Sequence, residues 1–250
     1  MRLLNKVVLI TGAARGIGKA IAIGMALEGA CIMLADIDLE EAEAVAAAIS
    51  KNQGQAEAFR LDVSNKVNVE KAVDLILAKE GRIDVLVNNA GVAGVTAFVD
   101  TNDDEWNRIM DINLKGVYYC CKAVVPSMIK QHTGKIINIA SVAAKVGGGL
   151  LGTSTYAASK AGVIGLSKGL ARELAPFGIY VNVIAPGSIT TDITRKYLTA
   201  QQQADSIKRI PVGRRGRPED VAGVAVLLAS AESDFITGAT IDVNGGLRMD

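Results

Sequence analysis

Short apolar runs rich in β-branched residues alternate along this chain with longer stretches whose apolar positions recur at helical spacing. Seven runs read as strands, at 7–10, 31–35, 56–61, 85–87, 135–139, 180–185 and 240–243. Between them the helical pattern occupies about 16–28, 39–52, 66–80, 104–131, 156–175 and 218–230. Strands that are apolar throughout are buried on both faces, so the pattern predicts a parallel sheet with helices above and below it. The expected fold class is therefore α/β, a single-domain Rossmann-type doubly wound sheet of about seven parallel strands. No internal repeat or linker-like tract divides residues 1–250. Only 188–217 breaks the alternation, with a polar stretch (TAQQQADSIKR) and a basic turn bracketed by Pro211 and Pro218. That segment reads as a lid over a substrate.

Composition narrows the function classes. With 250 residues, half of them hydrophobic, and a mean hydropathy of +0.28, the chain can build one sizeable core. A formal charge of +1 with no basic block gives no electrostatic case for nucleic acid or an anionic membrane. No apolar run approaches a membrane span, and the N-terminus runs directly into a strand pattern, so a cytoplasmic protein with a small-molecule partner is expected. Cys31, Cys120 and Cys121 form no metal-ligand spacing, so no metal site is expected and burial is their simplest role. The single histidine, His132, sits where a helix should end and reads as a capping or solvated residue.

Candidate chemistry begins with Tyr156 and Lys160, four residues apart and hence on one helix face. A free phenol titrates near ~10, and bringing it to neutrality means stabilising the phenolate by about 4 kcal/mol, for which a neighbouring ammonium is suited. The spacing is also common on ordinary surface helices, so its meaning depends on the surroundings. The first strand ends in Thr11-Gly12-Ala13-Ala14-Arg15-Gly16-Ile17-Gly18, where glycines let the main chain approach a pyrophosphate held on helix-start amides. Asp36 follows the second strand, 18 residues beyond Gly18, where a carboxylate can accept from both ribose hydroxyls and would repel a 2′-phosphate. Arg15 argues the other way, because a guanidinium can pair with that phosphate. Weighing the two favours NAD over NADP. Asp38 is the better candidate for the following helix cap.

With these residues in place, the chain resembles the short-chain dehydrogenase/reductase family from Lys6 to Gly246. The likeness is carried by TGAARGIG at 11–18, LDV at 61–63, NNAG at 88–91, Asn113, Ser141, YAASK at 156–160 and PGSITTD at 186–192. The family's G-x3-G-x-G spacing is the one found here. The resemblance implies that Ser141, Tyr156, Lys160 and Asn113 form a catalytic tetrad. Tyr156 would exchange a proton with the substrate oxygen, and Ser141 would donate to the same oxygen. Lys160 would lower the phenol pKa and hold the nicotinamide ribose, and Asn113 would support a water linking Lys160 to solvent. It further implies cofactor contacts from Gly12, Arg15, Gly16, Ile17 and Gly18 and from Asp36. Asp62 and Val63 would flank the adenine, and Asn89, Ala90 and Gly91 would lie beneath the ribose. Pro186, Gly187, Ile189 and Thr191 would sit at the nicotinamide carboxamide.

The expected activity is hydride transfer between NAD(H) and a secondary alcohol or ketone, with a small polar hydroxy compound as the expected substrate. The alternative is a 3-oxoacyl-carrier-protein reductase, against which Asp36 counts because those enzymes usually prefer NADPH. A non-catalytic dinucleotide-binding protein is disfavoured by the intact tetrad. A homo-oligomer, a dimer or homotetramer, is implied, associating through the helices near 104–131 and 156–175. Gly147-Gly148-Gly149 and Leu150-Leu151 suggest a flexible wall beside the reacting carbon. Thr153 and Ser154 suit either a substrate hydroxyl or a helix cap. Arg195, Lys196, Lys208 and Arg209 suit either an anion or a solvated basic face.

Overall fold

The computed structural model describes residues 1–149, 153–191 and 199–249. Seven parallel strands form one sheet: β1 (Val7–Thr11), β2 (Cys31–Asp36), β3 (Gln55–Arg60), β4 (Val85–Asn88), β5 (Gly134–Ile139), β6 (Ile179–Pro186) and β7 (Thr240–Val243). They lie in the order β3-β2-β1-β4-β5-β6-β7. The order reverses between β1 and β4, so a crevice opens there at the carboxyl ends of the strands. The register pairs Thr11 with Ala35 on one side and with Asn88 on the other, which brings three strand ends to one level.

Each strand's two-residue period divides the core in two. Val8, Ile10, Ile32 and Leu34 pack beneath α1 (Gly16–Leu27), α2 (Leu39–Lys51) and a late helix, Pro218–Ala229. Val7, Leu9, Met33 and Ala35 pack on the opposite face against α3 (Lys66–Glu80), α5 (Gly116–Gln131) and α7 (Ser154–Leu174). Cys120 and Cys121 are buried in that second layer, where burial pushes both thiols up, Cys121 to about 12. Cys31 is only half-buried, short of the burial expected for it.

The helix expected over 104–131 is interrupted. α4 (Asp103–Met110) passes into a π-helical turn, Asp111–Lys115, before α5 begins. The hydrophobic stripe is the same on either side, so periodicity alone does not reveal the wider turn. α5 ends at His132, whose φ of +53° makes it a left-handed C-cap in line with the expectation.

Two further helices lie where loop was expected. α6 (Ala143–Val146) is a single turn after β5. α8 (Ala200–Lys208) lies within 188–217 and opens on a capping box between Thr199 and Gln202. The helix Pro218–Ala229, α9, follows. Ile189 bridges Gly216 in parallel, closing the base of this insertion on itself. Leu150, Leu151, Asp192, Arg195 and Lys196 lie outside the described residues.

Candidate active site

The loop from β1 to α1 is shaped by glycines whose backbones other residues could not easily adopt. Gly12 and Gly16 take φ of +65° and +55°. A Cβ on Gly18 would sit 2.1 Å from the carbonyl oxygen of Gly12, so α1 can start this close to the loop only with glycine there. Thr11 and Asn89 fasten the loop to the end of β4. Thr11 Oγ1 accepts from the amides of Asn89 (3.1 Å) and Ala90 (3.2 Å), and Asn89 Nδ2 donates to the carbonyls of Thr11 (3.1 Å) and Gly12 (2.8 Å). No side chain caps α1, which leaves its first-turn amides for an anion.

A cavity of about 790 Å³ opens over this loop. One end is bounded by Asp36, Asp38, Asp62 and Val63, the floor by Asn89, Ala90 and Gly91, and the other end by Ser141, Tyr156 and Lys160. Of the cofactor contacts expected from the sequence, Gly12, Arg15, Gly16, Ile17, Pro186, Gly187, Ile189 and Thr191 also line it. Gly18 lies behind the wall, packed against Gly12.

Asp36 accepts from the amide of Ala14 through Oδ2 and from that of Asp38 through Oδ1, both at 3.0 Å. It therefore also holds the loop in place. Asp38 caps α2 through the amide of Glu41, and its other oxygen pairs with the guanidinium of Arg15. That pairing bears on the two opposed expectations at the ribose: Arg15 is committed to Asp38, while Asp36 carries no cationic partner among the described residues.

At the other end, Tyr156 and Lys160 lie on α7 and Ser141 just past β5. Burial holds the Tyr156 phenol above its ordinary range, a rise that a hydrogen bond with Ser141 only partly offsets. Ser141 Oγ also accepts from the amide of Ala143 (3.1 Å), which fixes its position. Lys160 is 4% exposed, and its Nζ donates to the carbonyl of Ile139 at 2.8 Å. Burial lowers its pKa to about 8.

Asn113 is fully buried at the centre of the π turn. Its Oδ1 accepts from the amide of Val92 (2.8 Å), and its Nδ2 donates to the Val92 carbonyl (2.9 Å) and to Ser159 Oγ (3.1 Å). The side chain therefore clamps the segment that follows Gly91 onto α7. A Cβ on Gly91 would come within 3.2 Å of Asn113 Oδ1 and 3.3 Å of Lys160 Nζ, so a larger residue at this crossing would press on both side chains.

The sequence reading passed over Thr11 and Ser159 as anchors, though each had a signal. Thr11 is the last residue of a strand facing the crevice, and Ser159 lies three residues from Tyr156 on the same helix face. It also passed over Ser206, which lines the cavity from within the segment read as a lid, and Leu247, which lines it from a C-terminal segment with no distinguishing pattern. Thr153 stands at the N-cap position of α7 without a side-chain cap bond and is absent from the cavity wall.

The residues present fit a dinucleotide: a phosphate-ready helix start with an open cradle, a carboxylate at one end and a buried Tyr/Lys pair at the other, in a cavity of suitable size. Fold and site together define a nicotinamide-dinucleotide oxidoreductase. The chain belongs to the short-chain dehydrogenase/reductase family. A family model described as enoyl-(acyl carrier protein) reductase matches residues 12–248. The 3-oxoacyl-[acyl-carrier-protein] reductase of Thermotoga maritima is 44% identical over 247 residues, covering 99% of each chain. The enzyme of that name from Escherichia coli K12 is 41% identical over 249 residues, covering 100% of each. A solved short-chain type dehydrogenase/reductase from Mycobacterium marinum superposes with a TM-score of 0.94 at 37% identity, covering 99% of this chain and 97% of that one. Among the described residues, no helix is long and apolar enough to cross a membrane.

Proposed function

We propose that this protein is an NAD(H)-dependent oxidoreductase of a small, polar secondary alcohol or its ketone. The observation that carries the cofactor preference is the pairing of Arg15 with Asp38 beside Asp36: the ribose end holds two carboxylates and one neutralised guanidinium, a poor seat for a 2′-phosphate. Bound NAD(H) supplies the hydride acceptor or donor. The chain's own part is acid–base chemistry. Tyr156 exchanges a proton with the substrate oxygen through its phenol, and Ser141 donates to that oxygen as charge develops on it. Lys160, cationic at neutral pH, faces the cavity beside Gly91, where it holds ribose hydroxyls and favours phenolate. Asn113 acts through position, holding the floor against α7.

We read the chain as one domain with 188–217 as its lid, a cytoplasmic homo-oligomer whose contact helices are α4, α5 and α7. The second reading, a 3-oxoacyl-carrier-protein reductase, is favoured by the names of relatives 41–44% identical over their full length. Specificity constants separate the two. NADH preferred over NADPH, with turnover of free hydroxy compounds, supports the first; NADPH preference with turnover confined to carrier-protein thioesters replaces it with the second.

A further inference from the structure

The cavity's charged residues are unevenly divided. Asp36, Asp38 and Asp62, with Arg15 paired among them, stand at the ends of β2 and β3 and in the first loop. Among the described residues, the other charged side chains on the wall are Lys160 and Arg209, both cationic. Arg209 is the C-cap residue of α8. It is exposed, and among the described residues its guanidinium has no hydrogen-bond or ion-pair partner.

The neighbouring cations are occupied elsewhere. Lys208 pairs with Asp205 at 2.8 Å. Arg214 forks onto Asp220. Arg215 is buried and donates to Ser188 Oγ and the Ile189 carbonyl, each at 3.1 Å. The basic stretch is thus mostly structural, and one guanidinium is left over on the cavity wall. A lone exposed arginine is ordinarily a solvated surface group. This one differs in lining the same cavity as Ser141, Tyr156 and Lys160, and it leads into the segment whose Val212 amide donates to the Gly245 carbonyl just past β7, at the sheet edge opposite β2 and β3 and their carboxylates. The field at that end therefore favours an anion, and a planar fork is suited to an oxyanion headgroup.

We propose that Arg209 binds an anionic headgroup (carboxylate, sulfonate or phosphate) on a short-chain substrate whose carbonyl or hydroxyl carbon lies at Ser141 and Tyr156. This rests on the hydride-transfer reading above and names its substrate class.

The test uses one acetonyl skeleton with four ends: 3-oxobutanoate, 2-oxopropane-1-sulfonate, hydroxyacetone phosphate and, as the neutral control, methyl 3-oxobutanoate. Specificity constants with NADH are measured for the wild type, Arg209→Gln and Arg209→Lys. At least one anion should exceed the ester in the wild type, and which one does identifies the headgroup. Arg209→Gln should lower kcat/KM for that anion by about 10- to 100-fold, mostly through KM, with the ester unchanged and Arg209→Lys intermediate. Equal treatment of anion and ester by the wild type, or an unchanged anion constant in Arg209→Gln, overturns the proposal. So does an Arg209 dependence seen only with carrier-protein thioesters. Calorimetric titration of the anions into wild type and Arg209→Gln in the presence of NAD⁺, which cannot reduce a ketone, reads the site without turnover. If no ketone is reduced, the hydride-transfer reading fails on its own, and about tenfold weaker binding to Arg209→Gln still supports the anion site; equal binding overturns it.

Discussion

Lys160 Nζ donates to the carbonyl of Ile139, the last residue of β5, at 2.8 Å. This bond ties α7 to the sheet end where the cavity opens, and it holds an ammonium in a site that is 4% exposed. The charge is costly there: the Lys160 pKa falls to about 8 from an ordinary 10.5. Below pH 8 the amine is charged in both folded and unfolded chains, and the folded form carries the whole penalty, about 3 kcal/mol. Between pH 8 and 10.5 the unfolded chain binds more protons than the folded one, so this group's contribution becomes more favourable as pH rises. Lys160→Met should therefore melt higher than the wild type at pH 7, by about 1–2 kcal/mol once the lost bond to Ile139 is subtracted. The advantage should shrink as the melts are repeated from pH 8 to 10.5. A variant less stable than the wild type at pH 7 would mean that Lys160 contributes more by its bond than it costs by its charge.

Tyr156→Phe removes the phenol oxygen and keeps the ring. Because Ser141 is also held by the amide of Ala143, the local structure should persist. Turnover should fall by about 10²- to 10⁴-fold, while NADH binding, followed by fluorescence, changes little. Near-normal turnover would remove Tyr156 from the mechanism.

The strands were legible because runs such as VVLI and VLV are apolar on both faces, a pattern that suits a doubly covered sheet. The π turn was half legible. Asn113 marked the position as unfavourable for an ordinary helix, but a one-residue widening leaves the apolar stripe intact. α8 was hidden by its polarity, although Thr199 and Gln202 already spelled a capping box. Tyr156 and Lys160 meet through helical spacing, whereas Ser141 and Asn113 reach them only through the fold, so their grouping rested on resemblance. Arg209 could not be separated from Lys208 in sequence, because which of two neighbouring cations faces the cavity depends on where α8 ends.

Asn113 makes three hydrogen bonds from a fully buried side chain. Asn113→Ala would leave the amide and carbonyl of Val92 without these partners and should destabilise the protein by about 2–4 kcal/mol. Since Val92 follows the glycine that passes Lys160, activity per folded molecule should fall as well. Chemical denaturation alongside turnover checks both. Loss of stability with unchanged activity would confine Asn113 to a structural role.

The last prediction concerns the pair that sets cofactor choice. Asp38 has two tasks, capping α2 through one oxygen and neutralising Arg15 through the other. Asn is as good a cap as Asp but carries no charge, so Asp38→Asn should keep the helix and release the guanidinium. Arg15, already on the cavity wall, is then free to meet a 2′-phosphate. The NADPH-to-NADH ratio of kcat/KM should rise about tenfold, the scale of one charge-assisted contact, with thermal stability nearly unchanged. Adding Asp36→Asn removes the second carboxylate beside Arg15 and should raise the ratio further, at a cost in loop stability because Asn keeps an acceptor for only one of the amides of Ala14 and Asp38. If the ratio stays at the wild-type value in both variants, the preference is set elsewhere than by these carboxylates and Arg15.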